Sequence, residues 1–173
     1  MTPSPVLTAD FLSRDVLAVA PALIGQWLCR RLETGQIRRL RVTEVEAYRG
    51  EDDSACHARA GRTRRTAVMY GPGGRAYVYL CYGVHHLLNV VTGAEGQPQA
   101  ALIRGLEGIA GPGRLTKALG IGLGLNGLAL EPASGLWLEA GGPPGPVVAS
   151  GPRIGIGYAS PEDQARAWRW WAR

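Results

Sequence analysis

Residues 37–48, IRRLRVTEVEAY, alternate in character, and this alternation limits the fold more than any other stretch. Side chains of an extended chain point to opposite faces in turn. Leu40, Val42, Glu44, Glu46 and Tyr48 are therefore predicted to share one face of a strand, and Arg41, Thr43, Val45 and Ala47 the other. Three more strand-like runs follow at 74–82, 86–92 and 99–106, the last two joined by the turn GAEGQP. Strands that succeed one another without a helix between each pair favour antiparallel pairing. Helical patterns lie at the flanks. Residues 8–33 predict one or two helices, capped by Thr8 or Ser13 and with Pro21 opening the second, running into a strand near 26–32. Residues 112–123 predict a short helix behind a Pro-Gly turn. Beyond it come a short strand at Trp137–Ala140, a turn at GGPPGP (141–146), strands at 147–158 around Ile154 and Ile156, and a helical or irregular segment at 161–171. The expected fold is α+β: a single domain over residues 1–173, with a curved, mainly antiparallel sheet and helices at the periphery.

A hydrophobic fraction of 46 % in 173 residues is enough for one such core. No run of about 18 apolar residues predicts a membrane span. The opening MTPSPVLTAD lacks the basic-then-apolar order of a secretory signal. Three cysteines, Cys29, Cys56 and Cys81, form neither an even set nor a CxxC pair, so a disulfide framework and a zinc ribbon are both disfavoured. A reducing, cytoplasmic setting is expected. The net charge of +5 favours a polyanionic partner if the surplus gathers on one face. Lys117 is the only lysine. Arginine grips phosphate in two-point contacts and stacks on rings, as lysine does not, although a GC-rich genome would also enrich arginine.

Glu46 is the first candidate for chemistry. On a buried or cleft-lining face, it and Glu44 raise each other's pKa, and a carboxylate so poised takes a proton from water. On a solvated face the same two acids serve only solubility. YVYLCYGV (77–84) places Tyr77 and Tyr79 on one strand face and Tyr82 at the strand end, before Gly83. Buried tyrosine is often plain core, but rings grouped like this also make a stacking surface for a flat ligand, with Tyr48 and Tyr79 as two walls of a slot. HARAGRTRR (57–65) sets Arg59, Arg62, Arg64 and Arg65 among small residues, a composition suited to phosphate contact or to a solvated charge run. His57 stands beside Cys56, and only His85 and His86 remain elsewhere, so no metal is expected. The glycine-rich runs at 71–75, 111–114 and 120–124 match neither GxGxxG nor GxxxxGK[ST], and no GxSxG is present, so nucleotide-loop and serine-hydrolase readings lack support.

Five stretches resemble the alkyladenine (3-methyladenine) DNA glycosylase family: TEVEAYRGEDDSACHARAGRT (43–63), MYGPGGRAYVYLCYGVHHLLNVV (69–91), AALIRGLEG (100–108), GPGRLTKALGI (111–121), and PRIGIGYA (152–159) ahead of WRWW (168–171). They span nearly the whole chain. The resemblance implies an enzyme that flips an alkylated or deaminated purine out of duplex DNA and hydrolyses its N-glycosidic bond without a cofactor. It implies Glu46 as the base that activates water, with Arg104 and the main-chain carbonyl of Ile154 holding that water. Tyr48 and Tyr79 sandwich the base, His57 contacts its edge, and Asn89 crowds the exocyclic amine of guanine. Tyr82 fills the gap left in the stack, while Val84 stands where a larger side chain is expected. Arg59, Arg62, Arg64 and Arg65 would meet DNA. With Lys117 as the sole lysine, no Schiff base and hence no strand cleavage is expected. The expected partner is double-stranded DNA carrying a damaged purine, met by a monomer that is cytoplasmic, or nucleoid-associated in a bacterium, and not at a membrane. Two alternatives compete: a non-catalytic binder of flipped or modified bases, which does not need Glu46, and a glycosidase of free nucleosides, which does not need phosphate contacts.

Overall fold

Strand β2 (Ile37–Arg49) is the spine of the molecule. It was identified in a computed structural model that describes residues 4–141 and 148–173. Its first half pairs with β1 (Trp27–Arg31), which in turn pairs with β7 (Leu136–Glu139). Its second half pairs with β5 (Gln99–Leu106), and β5 continues through β4 (His85–Val91) to β3 (Ala76–Cys81). The two-residue β6 (Ile109–Ala110) folds back on β5, while β9 (Arg169–Ala172) lies against β2 and carries β8 (Val148–Gly151). Every pairing is antiparallel, and the order β3-β4-β5-β2-β1-β7 leaves an open, curved sheet.

Among the described residues, four short α-helices lie at its periphery: α1 (Ala9–Leu12), α2 (Val16–Leu23), α3 (Pro112–Ala118) and α4 (Pro161–Ala165). Thr8 caps α1 as expected, but Ser13 ends α1 and Asp15 caps α2, its carboxylate accepting from the Leu17 amide at 2.9 Å. Pro21 falls inside α2, which stops two residues later, and α3 ends at Ala118. The main core lies under these helices and collects Val16, Val19 and Leu23 of α2 with Val78, Leu88, Ile103 and Leu138 of the sheet. No helix among the described residues is long and apolar enough to cross a membrane.

The predicted faces of β2 are corrected by an irregularity in its pairing with β5. Val42 pairs with Leu106, Glu44 with Gly105 and Val45 with Ile103. Thr43 on one strand and Arg104 on the other are thus each left without an opposite number. A bulge of this kind moves every later side chain to the other face. Val42, Val45 and Ala47 consequently all belong to the main core, whereas Glu46 and Tyr48 face the opposite side. Strict alternation would have put Val42 with Glu46. Gly105 permits the close crossing, for a Cβ there would lie 2.9 Å from the Thr43 hydroxyl oxygen and 3.2 Å from Glu44 Cβ.

The C-terminal expectations need more revision. Of the described residues 148–158, only 148–151 form a strand, and Ile154 and Ile156 lie in the loop that follows. The 161–171 segment divides into α4 and the strand β9, so the tryptophan-rich end is sheet. The turn expected at GGPPGP lies outside the described residues from 142 onward.

Candidate active site

On the face opposite the main core, a second apolar cluster joins Cys56, Ala58, Met69, Tyr77 and Ala100, with Tyr48 and Tyr79 packed against it. A cleft of about 740 Å³ opens beside this cluster, and a chamber of about 40 Å³ lies behind it, with Met69, Tyr77 and Asn89 in its walls. Tyr48, Ala55, His57, Tyr79 and Tyr158 line both spaces and so form the neck between them.

Glu46 sits behind the cleft wall. It occupies the middle of β2, opposite Leu102 of β5 and Arg169 of β9, so its backbone is enclosed on both sides. Its side chain has no exposure at all. Tyr48 Oη donates to Glu46 Oε2 at 2.8 Å and the Ile154 amide donates to Oε1 at 2.7 Å. Arg104 Nε stands 3.5 Å from Oε1. All three partners line the cleft, although Glu46 itself does not. Burial drives the Glu46 pKa above the ordinary carboxylate value, and the Arg104 charge, the Ile154 amide, the Tyr48 hydroxyl and Arg153 oppose that rise without cancelling it. Arg104 is divided between two acids, since its Nε also donates to Glu44 Oε1 at 3.3 Å, where Arg169 donates too at 3.1 Å. The Ile154 group in contact with Glu46 is the main-chain N–H, whereas the expectation from sequence concerned its carbonyl.

The aromatic residues are held from behind. Burial and the adjacent Glu46 carboxylate keep the Tyr48 phenol far above its usual pKa, so it remains a neutral donor. Tyr77 and Tyr79 alternate with Ala76 and Val78 along β3, so both rings leave the core face, with centroids 5.4 Å apart. His57, in a 3₁₀ turn over His57–Ala60, meets Tyr79 edge-on at 4.6 Å and places Nδ1 3.0 Å from Tyr77 Oη. Burial, reinforced by Arg65 and Arg59, lowers its pKa to about 4, so the imidazole is neutral at physiological pH. Asn89 is buried opposite Tyr77 on β4, and its Nδ2 donates to the Tyr77 carbonyl at 3.2 Å.

Tyr82 follows β3 in a left-handed conformation (φ 50°), with Gly83 next at φ 66°, and the Val84 amide closes the turn on the Cys81 carbonyl. Bulky side chains rarely adopt this backbone, and it holds the Tyr82 side chain out in solvent, 94 % exposed, on the cleft rim. Leu80 and Val84 are exposed beside it. Of the loop arginines, Arg59 and Arg65 line the cleft, with Arg65 over the Tyr79 ring at 5.1 Å. Arg62 covers Tyr70 instead, at 5.7 Å, and Arg64 is exposed outside the cleft lining. The loop itself is tied by mutual hydrogen bonds of Thr63 and Thr66.

Two groups of site residues escaped the sequence reading. Tyr158 borders the neck, its hydroxyl donating to the Ala55 carbonyl at 2.8 Å, with Arg59 over its ring at 5.3 Å. Arg153 is buried between the rings of Tyr48 (4.9 Å) and Trp168 (5.1 Å) and forks onto both oxygens of Asp53 at 2.7 and 2.9 Å. The only sequence hint of the pair was the density of acids in GEDDS, just after Tyr48.

Comparison with known proteins adds to this geometry. The family described as Methylpurine-DNA glycosylase (MPG) matches residues 10–110 and 107–173. A protein of Nitrosococcus oceani named "Putative 3-methyladenine DNA glycosylase" is 44 % identical over 183 residues, covering 95 % of this chain and 88 % of that one. A protein of the same name from Myxococcus xanthus is 46 % identical over 178 residues, covering 96 % and 90 %. The "DNA-3-methyladenine glycosylase" of Arabidopsis thaliana is 42 % identical over 184 residues, covering 95 % of this chain and 70 % of its own length.

Proposed function

Since the chain belongs to the methylpurine-DNA glycosylase family, we propose that it is a DNA glycosylase that turns a damaged purine out of the duplex and hydrolyses its N-glycosidic bond with water activated by Glu46. The observation that carries this reading is the set of groups around Glu46. A fully enclosed carboxylate is held by Tyr48, the Ile154 amide and Arg104, and each of those three borders the cleft.

The chemistry follows from those groups. Leaving with the bonding electron pair, the purine gives the sugar oxocarbenium character, which the nearby carboxylate stabilises. Water adds to that carbon and its proton passes to Glu46. Arg104 and the main-chain carbonyl of Ile154, at the edge of the cleft, hold that water. Desolvation makes Glu46 a stronger base than a surface glutamate, while Arg104 and the Ile154 amide favour its ionised form. Tyr48 and Tyr79 receive the flipped base at the neck, and stacking on such rings is worth about 1–3 kcal/mol for any base. His57, being neutral, offers the base edge a hydrogen bond without a charge. Asn89, in the inner chamber, crowds the exocyclic amine of guanine. Tyr82 enters the stack in place of the extruded base, which offsets part of the few kcal/mol that extrusion costs. Arg59, Arg62, Arg64 and Arg65 meet phosphates of double-stranded DNA, and the protein acts as a monomer.

Lys117 lies exposed at the end of α3, outside the cleft lining, which supports a reading without lyase chemistry. Substrates are alkylated or deaminated purines. The test is incubation with alkylated duplex DNA and chromatography of the bases set free, with borohydride added in a parallel sample. Free methylated purines and no trapped covalent complex are expected. If no base is released, the hydrolytic reading fails; if a complex is trapped, the monofunctional assignment fails.

A further inference from the structure

The strongest feature that this mechanism leaves unused is the cation behind the Tyr48 ring. Arg153 is 5 % exposed, and its guanidinium lies over Tyr48 at 4.9 Å and over Trp168 at 5.1 Å. It donates to the Ala47 carbonyl at 2.9 Å and to both carboxylate oxygens of Asp53. Ala47 separates Glu46 from Tyr48, and Arg153 itself precedes Ile154, whose amide holds Glu46. Arg153 does not line the cleft, while Tyr48 does. The ring therefore offers the cleft one face and the guanidinium the other.

We propose that the Arg153–Asp53 pair is a specificity-determining, positioning element that weakens the preference of the slot for positively charged purines. The inference rests on the proposed glycosylase reading. An aromatic ring attracts a cation through the negative potential of its face. A guanidinium on the buried face draws on the same π electrons, and its charge acts through the ring on whatever stacks opposite. A base stacked on the open face lies about 8 Å from that charge, where an uncompensated unit charge alters the binding of an ion by about 30-fold at an effective dielectric near 20. Asp53 offsets much of this, but the member of the pair that lies over the ring is the guanidinium and not the carboxylate. The net result is a bias of a few-fold toward neutral damaged bases. It acts against the pull of the Glu46 carboxylate on the same ligand.

Two variants separate this effect from simple support of the backbone, because they move it in opposite directions. Duplexes of one sequence carrying either 7-methylguanine, a fixed cation, or hypoxanthine, a neutral base, are used to measure kcat/KM by base release. Asp53→Asn leaves the guanidinium uncompensated, and the cation-to-neutral ratio is expected to fall by about tenfold. Asp53→Asn combined with Arg153→Met removes both charges, and the ratio is expected to rise by a few-fold. Arg153→Lys keeps the charge but loses the fork; it lowers both rates and leaves the ratio within about twofold. If the ratio stays fixed in the double variant while both rates drop together, the pair is only a scaffold and the proposal is overturned. The double variant decides the matter by itself if Asp53→Asn does not fold. Failure of the wild-type protein to release either base overturns the glycosylase reading instead.

Discussion

Replacing Glu46 with glutamine is expected to stabilise the protein and to disable it. The carboxylate is fully enclosed, and removing an ion of this kind from water costs several kcal/mol even after relaxation. Arg104 at 3.5 Å returns about 5 kcal/mol at an effective dielectric near 20, less its share with Glu44. Burial nevertheless wins, since the Glu46 pKa lies above its ordinary value. A carboxyl with a raised folded-state pKa contributes most stability below its unfolded value, and that contribution is lost as pH rises through the folded value. At neutral pH Glu46 is therefore a net cost. Glutamine keeps the shape and still accepts from the Ile154 amide. A gain of about 1 kcal/mol is expected, which for a domain of this size is about 2–4 °C in Tm. Turnover is expected to fall by at least about 10²–10⁴-fold, the usual contribution of a general base. Thermal melts at pH 7 and single-turnover base release on alkylated duplex measure the two effects. A lower Tm with release intact would show that Glu46 is a structural ion-pair partner and refute the reasoning.

Other consequences follow from the same site. Release should rise with pH as Glu46 ionises, with a midpoint above 4.5, and His57, whose pKa is about 4, should add no second limb between about pH 5 and 8; a pH–rate profile on a hypoxanthine duplex with a midpoint at or below 4.5 would contradict the assignment. Tyr82→Gly relieves a left-handed backbone and should raise stability by up to about 1 kcal/mol in denaturant melts, while release from duplex DNA falls more than release from single strands. Asn89→Ser should permit measurable release of undamaged guanine, and an unchanged guanine background would remove Asn89 from its proposed role. Gly105→Ala forces a Cβ against Thr43 and Glu44, and should cost about 1–3 kcal/mol together with a drop in kcat as Arg104 shifts; unaltered melts and rates would show that the bulge is adaptable.

Sequence reading reached the strands and the aromatic residues because their signals are local. The alternation in β3 placed Tyr77 and Tyr79 together, and that is where they stand. Thr8 capped its helix for the same reason, through a bond three residues long. What escaped depends on partners distant in the chain. The bulge at Thr43 and Arg104 is a property of two strands at once, so the faces of β2 could not be read from β2 alone. The strand at Arg169–Ala172 exists because β2 and β8 offer it edges, and its four tryptophan-rich residues alone do not distinguish a strand from a helical end. Arg153 and Asp53 are 100 residues apart, and the run of acids in GEDDS does not tell which of them is buried or what partner it meets.

The hairpin that ends β3 has a mechanical consequence. Tyr82 lies three residues beyond Tyr79, in the turn that joins β3 to β4, and that turn is fixed by two left-handed residues, Tyr82 and Gly83. Tyr79 and Tyr82 thus belong to one hairpin, closed by the bond from the Val84 amide to the Cys81 carbonyl, which ties the position of one to that of the other. In the proposed encounter the helix must do the yielding, so how readily a stretch of duplex bends should govern how soon damage within it is found.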